Sequence, residues 1–131
     1  MTMDQYVLIV DDEKDFRDSV SFWLKSKGYD VKTAEGGEQA LLMIKQAPPC
    51  LVFLDIQMPD MDGIDVLKRI RKIKKAIPVI MVTAAYNSER IAKARQLGIS
   101  GFYPKGGSLE DLVKILEVTI RRHKLEKKKL F

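Results

Sequence analysis

The sequence predicts an α/β fold in which a doubly wound parallel sheet carries helices on both faces. Four short apolar runs have the length expected of strands that are buried on both faces. Segments with helical spacing separate these runs, and strands that alternate with helices form right-handed crossovers in a parallel sheet. At 131 residues the chain has the size of a single domain. We therefore expect five consecutive βα units around one sheet.

The five predicted strands differ in how clearly the sequence marks them. Apolar runs occupy residues 6–10, 50–54 and 78–82, and a weaker run occupies 101–104. Residues 29–34 alternate between apolar and polar side chains, which is typical of an exposed strand. We therefore expect the four apolar runs to form buried strands, the one at 101–104 with the weakest signal, and the strand at 29–34 to be exposed.

Helical spacing and end signals mark the five helices. Phe16, Val20, Trp23 and Leu24 would lie on one face of the first helix. The second begins near Glu38, and the third covers residues 64–73. Glycine after a helix, proline beyond it and serine before it are the usual stop and start signals. The predicted signals are Gly28 after the first helix, Pro48 and Pro49 after the second, Ser88 and Gly98 around the fourth, and Ser108 before the fifth.

The net charge of +5 is not spread over the chain. Residues 1–120 contain 17 basic and 17 acidic side chains, so the whole excess lies in the last eleven residues. We expect one folded domain over residues 1–120, followed at 121–131 by a basic tail, a helix extension or a linker. A second basic cluster at residues 68–75 is balanced by acids elsewhere and is typical of a solvated helix face.

The cysteine content and hydropathy indicate a cytoplasmic protein. Cys50 is the single cysteine, so the chain cannot form an internal disulfide. We find neither a signal peptide nor a run of apolar residues long enough to cross a membrane. The composition also excludes collagen-like and wholly disordered classes.

Reactive side chains stand at the ends of four predicted strands. These side chains are Asp11, Asp12 and Glu13 after the first strand, Asp55 after the third, Thr83 after the fourth and Lys105 after the fifth. Ligands of open α/β sheets bind beyond the carboxyl ends of the strands. Carboxylates that converge there repel one another unless they share a cation, and oxygen ligands without His or Cys favour Mg²⁺. This constellation therefore points to phosphoryl chemistry.

Each of these residues also has an ordinary structural interpretation. Asp11 and Asp12 would serve as N-caps of the first helix, Asp55 would start a loop, and Lys105 would be a surface lysine. Taken singly, none of the four positions indicates a site. Their joint placement at one edge of the sheet favours the functional interpretation.

Four motifs give the chain a resemblance to a known family. They are VDDEKDFR at 10–17, LDIQMPDMDG at 54–63, VTA at 82–84 and YPKG at 103–106. In order and spacing they resemble a bacterial two-component response-regulator receiver domain of the chemotaxis-regulator type. The resemblance implies a five-stranded (βα)5 flavodoxin-like fold with strand order 2-1-3-4-5.

The resemblance also implies roles for the residues at the strand ends. Asp55 would accept a phosphoryl group from a sensor histidine kinase or a histidine phosphotransfer protein. Mg²⁺, or Mn²⁺, would be held by Asp11, Asp12, Asp55 and the backbone carbonyl of Gln57. Lys105 would neutralise charge on the transferring group, and the Thr83 hydroxyl would bind a phosphoryl oxygen. The chain would then catalyse its own modification and would not be a conventional enzyme.

Further positions follow from the same resemblance. Thr83 and Phe102 would form the conformational switch, while Gln57 and Ala85 would tune the lifetime of the phosphorylated form. The family's proline after the lysine is replaced by Gly106, so we expect a trans peptide bond and a more loosely ordered loop. The implied partners are the phosphodonor, a downstream protein or output domain, and a second copy in a homodimer, with no membrane contact.

Other functions fit parts of the sequence. One is a phosphorylation-independent interaction module, and another is nucleic-acid contact through the basic tail, which would weaken steeply with salt. No aromatic residues alternate with the tail charges before Phe131, so nucleic acid is a weak candidate. A haloacid-dehalogenase-like phosphohydrolase needs a second acid where Gln57 stands, and a flavin module needs a phosphate cradle where the acidic residues 11–15 lie.

Overall fold

The computed structural model describes residues 5–74, 76–84 and 87–129, with side chains described to residue 126. Five parallel strands form one sheet in the order β2-β1-β3-β4-β5, which confirms the predicted topology. The five helices alternate with the strands along the chain. The elements are β1 (Val7–Val10), α1 (Lys14–Ser26), β2 (Val31–Ala34), α2 (Gly37–Gln46), β3 (Leu51–Asp55), α3 (Gly63–Ile73), β4 (Val79–Thr83), α4 (Ser88–Leu97), β5 (Gly101–Pro104) and α5 (Leu109–Lys129).

The helices cover the two faces of the sheet and create two apolar cores. Because side chains alternate along a strand, Leu8 and Leu54 face the core under α2, α3 and α4, while Ile9 and Phe53 face the core under α1 and α5. All four side chains are at most 1% exposed. The near-continuous apolar runs in the sequence therefore reflect strands that are buried on both faces, whereas edge strand β2 exposes Lys32.

The register of the strands brings their carboxyl ends into line. Val10 pairs with Leu54, so Asp11 follows β1 at the level where Asp55 ends β3. Asp55 pairs with Val82, one residue before Thr83. Thr83 in turn pairs with Pro104, which precedes Lys105. All four strand ends therefore open onto one edge of the sheet.

The helix ends agree with most of the predicted signals. Gly28 follows α1 with a φ of 94°, a conformation that favours glycine. The Ser108 hydroxyl accepts a hydrogen bond from the amide of Asp111, as expected of a cap. The prediction for Ser88 was wrong by one residue: Asn87 is the N-cap of α4, and its side chain accepts from the amide of Arg90. Asparagine competes equally well for this position.

Helix α5 is the longest helix. It extends from Leu109 to Lys129 without interruption, so the described part of the basic segment is helical. Within the described residues, none of the helices combines the length and the apolar character needed to cross a bilayer.

Candidate functional site

Three carboxylates converge at the carboxyl edge of the sheet. Asp11, Asp12 and Asp55 each offer an oxygen, and these oxygens lie within 4.8 Å of one another. Asp11 and Asp55 are buried, at 1% and 4% exposure, while Asp12 is exposed. The acidic cluster is therefore buried except at Asp12, and a hard cation can reach it from that exposed side.

Asp11 is held in place from both sides. Its Oδ1 accepts a hydrogen bond of 2.9 Å from the amide of Glu13, and its backbone carbonyl accepts one of 2.7 Å from the buried Arg17 guanidinium. Glu13 is the N-cap residue of α1, so neither Asp11 nor Asp12 caps that helix as the structural interpretation required. Asp11 Oδ2 is buried, and the Lys105 ammonium lies 3.0 Å from it as an ion-pair partner.

Lys105, which directly follows β5, contacts the acidic cluster through its ammonium. Its ammonium donates to Asp11 Oδ1 at 3.1 Å, to Asp55 Oδ2 at 3.4 Å and to Glu13 Oε1 at 2.5 Å. The ammonium also lies 5.2 Å from the centre of the Phe16 ring. The lysine side chain is only 11% exposed, so these contacts form in partial shelter from water. One cation therefore faces the two buried carboxylates.

The environment changes the proton affinity of these groups. Burial, reinforced by the neighbouring charge of Asp11, raises the pKa of Asp55 to about 6 despite the opposing effect of Lys105. Burial also raises the pKa of Asp11, against hydrogen bonds from the Glu13 amide and Lys105. Burial alone would lower the pKa of Lys105, but its hydrogen bonds to Glu13 and Asp11 outweigh that effect and raise it. Lys105 therefore stays charged, while the Asp55 carboxyl titrates at a pH slightly below neutral.

The loop between β3 and α3 is folded tightly behind Asp55. The amide of Gln57 donates to Asp55 Oδ1 at 3.2 Å, and the amide of Gly63 donates to the Ile56 carbonyl at 2.8 Å. A Cβ atom at Gly63 would lie 2.7 Å from Ile56 Cα and closer still to the Asp55 carbonyl oxygen. Glycine is required here because backbone occupies the space that a side chain would need.

The same loop is attached to the start of α2. Both oxygens of the Asp60 carboxylate accept hydrogen bonds, each of 3.3 Å, from the amides of Gly37 and Glu38. The N-cap residue of α2 is Gly36, which has no side chain to serve as a cap. Asp60 therefore supplies the cap from a distant part of the chain.

The residues predicted to form the switch lie on β4 and β5. Thr83 is partly buried, and its carbonyl accepts a hydrogen bond from the amide of Lys105 at 2.9 Å. Phe102 is partly buried against the core under α2, α3 and α4, with the Arg95 guanidinium 5.3 Å from the ring centre. The adjacent Tyr103 is fully buried on the opposite face. The switching roles of Thr83 and Phe102 remain predictions.

The loop after Lys105 has several internal contacts. The Tyr103 hydroxyl donates to the Gly107 carbonyl at 2.5 Å and lies 3.0 Å from the Ser108 carbonyl. No peptide bond is cis in the described residues, as predicted for the bond to Gly106. The looser ordering of this loop remains a prediction. Gln57 is exposed, Ala85 lies outside the described residues, and their effect on lifetime also stays a prediction.

Several residues of the site were not identified as site residues in the sequence. Phe16 contacts Lys105, Arg17 binds the Asp11 carbonyl, and Asp60 and Arg90 hold the loop after Asp55. Glu13, which the sequence places at the end of the first strand, also contacts Lys105. Arg17 could have been recognised in the sequence as a buried arginine, because it lies beside Phe16 and three residues before Val20 on the predicted inner face of the first helix. The partners of Asp60 and Arg90 lie more than 20 residues away, and no local pattern marks such contacts.

Comparisons with known proteins agree with this geometry. A family model described as the response regulator receiver domain matches residues 7–117. The chain is similar to the chemotaxis protein CheY4 of Vibrio cholerae, with 32% identity, a TM-score of 0.83, and coverage of 88% of this chain and 98% of that one. It is also similar to a CheY-like receiver domain protein from Methanospirillum hungatei, with 27% identity, a TM-score of 0.90, and coverage of 93% and 98%.

A third similar structure belongs to a longer protein. NtrX from Brucella abortus, solved in complex with ADP, shares 34% identity at a TM-score of 0.87. The match covers 93% of this chain but 28% of NtrX. Strand order, the cluster of three aspartates at the strand ends and the family match over residues 7–117 lead to the same assignment. The chain belongs to the family of response-regulator receiver domains.

Proposed function

We propose that this receiver domain accepts a phosphoryl group on Asp55 in a Mg²⁺-dependent reaction and changes conformation as a result. The observation that carries the proposal is that Asp55 lies beside the buried Asp11 and within 3.4 Å of the sheltered ammonium of Lys105. Both Asp11 and Asp55 belong to the acidic cluster and contact the Lys105 ammonium, and Asp55 is the one whose motif, at residues 54–63, matches the acceptor position of the family. A nucleophile placed between a metal site and a fixed positive charge suits phosphoryl transfer.

The side chains fit a hard divalent cation. Three carboxylates within 4.8 Å of one another supply only oxygen ligands, and the exposed Asp12 leaves the cluster open on one side. Asp11, Asp12, Asp55 and the Gln57 carbonyl would hold Mg²⁺, and Mn²⁺ would fit the same ligands. A bound Mg²⁺ would neutralise charge on the phosphoryl oxygens.

The residues of the chain would then divide the work of transfer. A carboxylate oxygen of Asp55 attacks the phosphorus of a phosphohistidine, so that an O–P bond forms as the N–P bond breaks and the imidazole leaves. The Lys105 ammonium, already 3.4 Å from Asp55 Oδ2, stabilises the negative charge that the phosphoryl oxygens carry. The Thr83 hydroxyl donates to a phosphoryl oxygen. The acceptor is part of the protein itself, so the domain is not a conventional enzyme.

Signalling would follow from the new contacts of the phosphoryl group. Bonds to Thr83 and Lys105 exist only in the phosphorylated state, and such differential contacts are what shifts a conformational equilibrium. Phe102 would turn inward as Thr83 moves. The phosphodonor would be a sensor histidine kinase or a phosphotransfer protein, and the receiver of the signal would be a downstream protein or an output domain.

Intact-mass spectrometry tests the proposal directly. The protein is incubated with Mg²⁺ and phosphoramidate, and we expect a single phosphoryl adduct. Asp55→Asn and a chelated sample should show none. Asp65→Asn is the matched control, because Asp65 is exposed on α3 and, within the described part of the chain, its ion pair is with Lys68. An adduct that persists in Asp55→Asn would place the acceptor elsewhere.

A second donor guards against a false negative. If phosphoramidate gives no adduct, the chain is incubated with a phosphorylated histidine phosphotransfer protein, which resembles the proposed physiological donor. Absence of an adduct with both donors would overturn the proposal and favour a phosphorylation-independent interaction module.

A further inference from the structure

Arg90, in the first turn of α4, reaches across to the loop that follows Asp55. Its Nη2 donates to the Asp62 carboxylate and to the Ile56 carbonyl, the latter at 3.3 Å. The Arg90 side chain is 30% exposed and that of Asp62 is 37% exposed, so water covers the pair only in part. The contact joins two segments that are more than 25 residues apart in the sequence.

The two carboxylate oxygens of Asp62 accept hydrogen bonds from residues of two different helices. Oδ1 accepts from the amide of Ile64 at 2.8 Å and caps α3, while Oδ2 accepts from Arg90 of α4. The Ile56 carbonyl is shared in the same way, because it also accepts from the amide of Gly63. Arg90 therefore contacts both ends of the β3–α3 loop at the point where the loop closes on itself.

The span between those two ends contains the positions nearest to the chemistry. Gln57 lies directly after Ile56, and its amide donates to Asp55 Oδ1. Asp60 attaches the outer part of the loop to α2, so Arg90 provides the attachment on the α4 side. Two anchors on different helices thus hold a loop that carries an implied metal ligand, the Gln57 carbonyl.

We propose that Arg90 is a positioning residue that couples the start of α4 to the Mg²⁺-binding loop. The inference rests on the proposed function, because the loop is taken to hold Mg²⁺ through Gln57. The coupling is reciprocal: what orders the loop also orders the start of α4, and a partner bound on α4 alters affinity for the cation. This route is separate from the one through Thr83 and Phe102.

The first test measures the loop without metal. Hydrogen exchange is followed for the amides of Gln57 and Gly63 in the chelated wild-type protein, in Arg90→Gln and in Asp62→Asn. Asparagine still caps a helix, so Asp62→Asn removes the charge of the pair and retains the cap. We expect exchange to accelerate about two- to fivefold in both variants, the size expected from loss of a partly exposed ion pair.

Lys93→Gln is the matched control. Lys93 is an exposed cation on the same helix, and we find no ion pair for it among the described residues. It should leave exchange in the loop unchanged. Arg90→Lys restores a cation and should recover most of the protection, which a purely steric role of the arginine would not predict.

The second test measures Mg²⁺ affinity by titration calorimetry of the same variants. Arg90→Gln and Asp62→Asn should each weaken Mg²⁺ binding about two- to fivefold, and the double variant should be no weaker than either one. Unchanged exchange or unchanged Mg²⁺ affinity in Arg90→Gln would overturn the inference. If wild type binds Mg²⁺ but forms no phosphoryl adduct, only the proposed function fails.

Discussion

Glu13 holds Lys105 from the solvent side of the cluster, with Oε1 2.5 Å from the lysine Nζ. The contact is asymmetric, because the Glu13 side chain is 60% exposed while that of Lys105 is 11% exposed. The two buried aspartates bind the same ammonium from the inner side. Glu13, the residue after Asp12, therefore lies between the Lys105 ammonium and the solvent.

Replacing Glu13 by glutamine should weaken the fold slightly. The change removes one charged partner of a sheltered lysine, and we expect a loss of about 0.5–1 kcal/mol in the free energy of unfolding, measured by urea denaturation. Asp18→Asn breaks the more exposed pair between Lys14 and Asp18 and serves as control. A loss for Glu13→Gln no larger than that of the control would contradict a special role for Glu13.

Asp55→Asn should stabilise the metal-free protein at neutral pH. The pKa of Asp55 is raised to about 6, so the folded state binds a proton more readily than the unfolded state, and stability falls as pH rises from about 4 to about 6. Removing the carboxylate should therefore raise the free energy of unfolding by about 2 kcal/mol at pH 7.5 and by little at pH 4.

Thermal unfolding of the two proteins across this pH range, with chelator present, checks the prediction. Asp65→Asn, an exposed aspartate on α3, should show no such pH-dependent difference. A gain that is equal at pH 4 and pH 7.5 would mean that the charge of Asp55 is not its cause.

Affinity for Mg²⁺ should decrease in acid. Protons compete with the cation for Asp55, whose metal-free pKa is about 6, so binding should weaken as pH falls below that value. For one competing proton the decrease approaches about tenfold per pH unit. Calorimetric titrations at pH 7.5, 6 and 5 measure the effect, and an affinity independent of pH would exclude Asp55 as a ligand.

Gly63→Ala should disrupt the site, whereas Gly106→Ala should not. A Cβ at Gly63 meets backbone atoms of Asp55 and Ile56, which can move only if the loop behind the acceptor moves. We expect a loss of about 2–4 kcal/mol in the free energy of unfolding and weaker Mg²⁺ binding.

At Gly106 a Cβ would meet nothing within 4 Å, which makes this substitution the matched control. Its stability should stay within about 0.5 kcal/mol of wild type. Equal losses in the two variants, measured by thermal denaturation, would show that crowding at Gly63 is not the cause.

The sequence predicted the sheet well because its signals are local. Buried strands such as Val7–Val10 are continuous apolar runs, and a glycine or proline follows α1, α2 and α4 within two residues. The reactive residues were also predictable, since parallel strands must bring Asp11 and Asp55 to one edge.

Contacts between distant segments could not be predicted in the same way. Asp60 caps α2 from 23 residues away, and Arg90 reaches Asp62 from 28 residues away. In the sequence such polar residues are indistinguishable from solvated surface residues, because only the folded chain supplies their partners. The one-residue error at Ser88 has a different origin: Asn87 and Ser88 are both good caps, and the local pattern does not separate them.

The two aromatic residues of β5 face opposite sides of the sheet. The Tyr103 hydroxyl is engaged by the Gly107 carbonyl on one face of the sheet, while Phe102, on the other face, has a ring without a hydroxyl beneath Arg95. A rotation of the Phe102 side chain would consequently make and break no hydrogen bond. The equilibrium between the orientations of the ring would depend on hydration of the ring and on its stacking with the Arg95 guanidinium. Temperature and the charge at position 95 would then shift the equilibrium between the orientations of the Phe102 ring in the unphosphorylated domain. The shift would be larger than in a receiver domain whose rotating aromatic residue is a tyrosine.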